Sequence, residues 1–143
     1  MSPAHLELGV GDIAPVNVVV RNVTDLYAVD IHLFFDASLL EVQDANPVKS
    51  GIQIAPGTFL DPAQGYLFKN YADNDAGFVW FVITLLHPAP AVSGEGTLFT
   101  VNFQGQASGT SQLRLKAQLV GLTEGEVAPI SAVTQGGTIV ITP

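Results

Sequence analysis

Almost every apolar stretch of this chain repeats with a period of two, a pattern that only a β-strand can bury on one side. In residues 15–23, Val16, Val18 and Val20 fall on one face, and Asn17, Val19 and Arg21 on the other. In residues 27–36, Val29, Ile31, Leu33 and Phe35 share one face while Ala28, Asp30, His32 and Phe34 share the opposite one. The same alternation groups Leu6, Leu8 and Val10; Phe99, Val101 and Phe103; Leu113, Leu115, Ala117 and Leu119; and Ile139 with Ile141. Residues 39–42, 66–72 and 78–86 complete about nine short strands, separated by turn signals at 11–12, 22–26 and 73–77. Residues 46–64 and 87–96, rich in proline and glycine, read as irregular connections. No amphipathic helix is evident. The pattern predicts an all-β domain, a nine-stranded jelly-roll β-sandwich.

One strand breaks the rule. Phe78-Val79-Trp80-Phe81-Val82-Ile83-Thr84-Leu85-Leu86 carries no charge and is apolar on both faces. A strand in a two-layer antiparallel sandwich needs only one apolar face, because the other meets water. With Val79, Phe81 and Ile83 inward, Phe78, Trp80, Val82 and Thr84 point outward. Asp30, His32 and Phe34 point outward on strand 27–36 by the same logic. Aromatics beside an aspartate and a histidine resemble the centre of a protein interface with a polar rim. Two explanations are open: loop 46–64 folds over this face, or a partner covers it.

Composition narrows the function. The 143 residues suffice for a single domain, residues 1–143, with a real core, and 48% hydrophobic with 13% charged residues is too apolar for disorder. Five basic against 13 acidic residues, a net charge of −8, exclude the basic footprint that nucleic acid requires. An anionic membrane surface is disfavoured on the same ground, and no apolar run reaches the ~20 residues of a membrane span. Without cysteine there is no disulfide framework, thiolate zinc site or cysteine nucleophile. The Met-Ser-Pro-Ala-His start lacks the pattern of a secretion signal. Many short strands and so few basic residues fit a module excised from a larger secreted or surface protein.

Motifs for chemistry are weak. His5, His32 and His87 lie in separate segments without metal-ligand spacing. Asp73-Asn74-Asp75-Ala76-Gly77 lacks the alternating ligands and distal glutamate of a calcium loop and reads as a hairpin turn. Gly9-Val10-Gly11 precedes a strand, so no phosphate cradle forms, and Ser93-Gly94-Glu95-Gly96 lacks the context of a nucleophile elbow. No two carboxylates are paired by the sequence for glycosidase work. The expectation is a non-enzyme with no metal or cofactor of its own.

Several segments, in order, resemble the cohesin domain. They are Gly11-Asp12 with the valines that follow it, Phe35-Asp36-Ala37-Ser38-Leu39-Leu40-Glu41-Val42, Pro56-Gly57-Thr58-Phe59-Leu60, Gly77 to Ile83, and Ser93 to Phe103. The likeness runs from about Leu6 to Ile141, with Phe35 and Glu95 departing from the family's usual tyrosine and aspartate. The resemblance implies a nine-stranded jelly roll that binds a calcium-loaded dockerin module of another protein on the sheet holding its third, fifth, sixth and eighth strands. Carried over by position, it implies partner-binding roles for Asp30, His32 and Phe34 on the third strand, Lys69 and Tyr71 on the fifth, and Phe78, Trp80, Val82 and Thr84 on the sixth. It implies calcium in the dockerin rather than in this chain, and an extracellular or cell-surface setting within polysaccharide-degrading assemblies. Two rivals stand beside it. A carbohydrate-binding module would need a strip of coplanar aromatics, and a structural or adhesive sandwich would cover the outer face by weak self-association.

Overall fold

The computed structural model describes all 143 residues. Ten strands follow in order: β1 (His5–Gly9), β2 (Ile13–Phe34), β3 (Leu40–Val42), β4 (Ala55–Pro56), β5 (Gly65–Asp73), β6 (Phe78–Leu85), β7 (Val92–Gly105), β8 (Gly109–Thr123), β9 (Glu126–Ile130) and β10 (Gly137–Thr142). A single 3₁₀ turn, Pro62–Gln64, is the only helical element. Hydrogen bonding runs in the order β1-β10-β8-β2-β6-β5, while β7 pairs with β2, β3 and β4, and β9 pairs with β8.

Two long strands serve both layers of the sandwich. The first part of β2 pairs with β7, Val16 opposite Val101, whereas residues 28–34 lie between β6 and β8. The crossing falls at Asn22 and Asp25, whose φ angles of 54° and 56° are left-handed, a conformation asparagine and aspartate tolerate better than most residues. The Asp25 N–H donates to Ser93 Oγ at 2.9 Å and the Thr123 hydroxyl donates to Asp25 Oδ2 at 3.2 Å, fastening the bend to both flanking strands. Residues 22–26, expected as a turn between two strands, are therefore a bend inside one strand. β8 changes partner in the same way, from β10 over residues 109–113 to β2 beyond.

The core forms where the layers meet. Phe81 of β6 packs against Phe99 of β7 with ring centroids 4.8 Å apart, and Phe35 meets Phe103 edge-on at 5.2 Å. Val16, Val18, Val79, Ile83, Leu33 and Val101 fill the space around them, each at most 2% exposed. Burying a side chain of this size contributes roughly 1.5–3 kcal/mol. Val10 falls outside this core at 47% exposed, because β1 ends at Gly9 and Val10 enters the turn.

The remaining differences from the sequence reading lie in the connections. Residues 92–96, expected in a loop, begin β7. Glu126–Ile130 adds a hairpin partner to β8 across the Glu124-Gly125 turn, where φ is positive at both residues. Within 46–64, Ala55–Pro56 pairs with β7, and the inward side chain of Asn70 clamps the Ile54 N–H and C=O at 2.8 and 3.0 Å. The Ala72 N–H donates to the Ile52 carbonyl at 2.9 Å on the edge of β5. This loop closes the seam between β5 and β7; it does not lie over the outer face of β6.

Candidate partner-binding face

Strand register turns the outer side of β5, β6, β2 and β8 into a grid. One row reads Tyr71, Trp80, His32, Lys116; the next reads Lys69, Val82, Asp30, Gln118. Flanking rows are Asp73, Phe78, Phe34, Arg114 and Tyr66, Thr84, Ala28, Val120. Directly opposite residues in antiparallel strands share a face, so all of these side chains point the same way. The burial of β6 alternates without exception between fully buried and half-buried positions. Phe34, Tyr66, Lys69, Arg114, Lys116 and Gln118 stand exposed.

A bulge places β5 correctly for this. Leu67 pairs with Ile83 and Lys69 with Val82, leaving Phe68 as the extra residue. Unbroken alternation from Tyr66 would have sent Lys69 and Tyr71 inward. The inserted residue turns them outward and points Asn70 to the seam loop.

Trp80 is the centre of the cluster. Its Nε1–H donates to Asp30 Oδ1 at 2.8 Å, across the diagonal between neighbouring strands. His32 stacks on the indole with centroids 4.9 Å apart and 21° between planes, and Phe34 continues the stack at 6.0 Å from His32. Tyr71 meets Trp80 edge-on at 5.9 Å. Lys69 Nζ lies 5.0 Å from the indole centroid, on the β5 side, a cation–π contact. His32 Nδ1 is 3.9 Å from Asp30 Oδ1, too far for a hydrogen bond. The rings thus support one another, with His32 from β2 and Lys69 from β5 both packed against the indole.

All nine residues singled out in the sequence, Asp30, His32, Phe34, Lys69, Tyr71, Phe78, Trp80, Val82 and Thr84, are brought onto this one face. The grid adds Arg114, Lys116 and Gln118, and the exposed Tyr66–Phe68 pair, whose rings meet at 4.6 Å. The β8 residues were recoverable: with Leu113, Leu115, Ala117 and Leu119 inward, the even-numbered positions must point out. Elsewhere, no group of three or more His, Asp or Glu side chains converges as a metal site would require. A mainly apolar cavity of about 530 Å³, lined by Val20, Ile31, Leu115, Leu119 and Ile130 among others, lies on the inner side of β2 and β8, away from the face.

Comparison with known proteins gives a consistent result. The family model of the cohesin domain matches residues 5–141. No curated protein matches the chain in sequence. Among solved structures, the non-cellulosomal cohesin of the hyperthermophilic archaeon Archaeoglobus fulgidus superposes with a TM-score of 0.73 at 18% identity, covering 98% of this chain and 88% of that one. The seventh ScaB type I cohesin of Pseudobacteroides cellulosolvens gives 0.75 at 19% identity, covering 96% and 88%. The type I cohesin–dockerin complex Coh-OlpA–Doc918 of Clostridium thermocellum gives 0.72 at 16% identity, covering 97% and 95%. At these identities the structural likeness is one of fold.

Proposed function

This chain belongs to the cohesin family, and from that premise we propose that it is a non-catalytic docking module whose β5–β6–β2–β8 face receives a calcium-loaded dockerin carried by another protein. One observation carries the reading: an ordered aromatic centre, Trp80 braced by Asp30, His32 and Lys69, stands on a sheet face that the domain's own loops leave uncovered. Apolar side chains that the core does not use, gathered around one tryptophan and rimmed by charge, have the anatomy of an interface hot spot. Binding would be non-covalent. An amphipathic helix laid on the sheet would bury Trp80, Val82 and Phe34, with Asp30 holding the indole in place, while Thr84 and Gln118 would fix its position by hydrogen bonds. Because the rings are already held by one another, little side-chain freedom would be lost on docking. In this reading the domain is one module of a larger secreted or cell-surface protein, and the calcium belongs to the dockerin.

Calorimetry against a panel of calcium-loaded dockerins, with and without EDTA, tests this. The expected result is binding that disappears on chelation while the melting temperature of this domain stays unchanged. Failure of every dockerin to bind, or binding that survives EDTA, would refute the proposal. Retention on cellulose would favour a carbohydrate-binding module, and a stable dimer in size-exclusion chromatography an adhesive sandwich.

A further inference from the structure

The charge of the face is opposite in tendency to that of the molecule. The chain carries a net charge of −8, yet three of its five basic residues, Lys69, Arg114 and Lys116, stand on the β5–β6–β2–β8 grid with only two of its 13 carboxylates. Both of those carboxylates are engaged: Asp30 accepts from Trp80, and Asp73 Oδ1 accepts the N–H groups of Asp75 and Ala76 in the turn. Among Lys and Arg, only Arg21 lies within 4 Å of a carboxylate, that of Glu95, at 3.9 Å. None of the three basic residues on the face has a carboxylate partner, and all are exposed.

Their placement is also ordered. Lys69 lies on the outermost strand of one side and Arg114 and Lys116 on β8 at the other, with the aromatic and aliphatic rows of β6 and β2 between them. Three strand spacings of about 4.8 Å put the two flanks roughly 14 Å apart. A helix with its side chains is about 10–12 Å across. One helix lying along the strands would cover the apolar centre and bring its two sides against the basic flanks. Covering cations with a neutral surface removes water from them without replacement, which is unfavourable unless carboxylates take its place.

Building on the docking reading above, we propose that the cognate dockerin is recognised by acidic side chains on both sides of its apolar stripe, paired with Lys69 on one flank and with Lys116 and Arg114 on the other. The partner is thus an acidic helix, although the domain as a whole is acidic. Local pairing selects it against the repulsion of the overall charges.

The test takes a dockerin from the calcium-loaded panel that binds the wild-type domain and measures its affinity for K69E/K116E, for K116E alone, and for K49E, which lies off the face in loop 46–64. Lys116 makes no contact with the tryptophan ring, so its reversal separates charge from aromatic packing. The expected loss is about 30-fold for the double variant and about 5-fold for K116E, with no change for K49E. Replacing the dockerin's flanking acidic residues by lysine should restore binding to K69E/K116E and weaken binding to the wild type. Unchanged or tighter binding by K69E/K116E would overturn the acidic-partner inference while leaving dockerin recognition standing. A panel in which no dockerin binds the wild-type domain would overturn both.

Discussion

Asp30→Ala should weaken partner binding chiefly through Trp80, and the structure sets the size of the effect. The indole N–H has Asp30 Oδ1 as its acceptor at 2.8 Å. A hydrogen bond to an ionised acceptor contributes about 1.5–3 kcal/mol when sheltered from water. The Asp30 side chain is 40% exposed, so water competes and a contribution of about 1 kcal/mol to folding is expected. For 143 residues that corresponds to a fall of about 3 °C in melting temperature. Freed of its acceptor, the indole samples other rotamers, and re-ordering it on docking costs about 1 kcal/mol, or roughly fivefold in affinity. Trp80→Ala removes the anchor itself and should cost about 2 kcal/mol or more, at least ~30-fold. A double-mutant cycle by calorimetry joins the two. If Asp30 acts by holding Trp80, Asp30→Ala adds little once Trp80 is removed and the coupling energy is about 1 kcal/mol. Additive losses would refute this reasoning and assign Asp30 a separate contact with the partner. Asp30→Asn, which keeps an acceptor, should recover most of the lost stability.

Other expectations concern the scaffold. Phe81→Ala, at a position 1% exposed and packed on Phe99 across the layers, should destabilise the domain by about 3–5 kcal/mol in urea denaturation. Gly77→Ala should cost about 2 kcal/mol or more, because φ there is +81° and a methyl group would meet the Phe35 carbonyl oxygen. The Asp36 carboxyl is held below the ordinary carboxylate range by the Ser38 hydroxyl first and the Ser38 N–H second. A depressed folded-state pKa contributes stability above the ordinary value, lost as pH falls through the depressed one. Ser38→Ala should therefore raise the Asp36 titration midpoint in an NMR pH series, and an unmoved midpoint would remove Ser38 as the cause.

How far the face could be read in advance differs by strand. For β6 the sequence was enough, because nine uncharged residues at period two can only place Trp80 opposite Phe81. On β8 the alternation was equally clear, but Arg114 and Lys116 became part of the site only through their register with Phe34 and His32. β5 was not legible: the bulge at Phe68 reverses every later side chain, and nothing local marks where the extra residue enters. The bend at 22–25 misled in the other direction. Asparagine and aspartate there signal a turn, and only pairing with partners on both sides carries the strand through it.

By itself, then, the sequence determined the all-β class, the buried half of most strands, β5 excepted, and the surplus of apolar side chains on the strand containing Trp80, since these follow from alternation along the chain. The tertiary structure alone decided that loop 46–64 closes a seam instead of covering that surplus. It also decided that Asp30 meets Trp80 fifty residues away and that the unpaired lysines bracket the aromatic centre. Period two states which way a side chain points from its own strand. Which strand lies alongside, and in what register, is set by long-range hydrogen bonding and by the joint packing of the two layers.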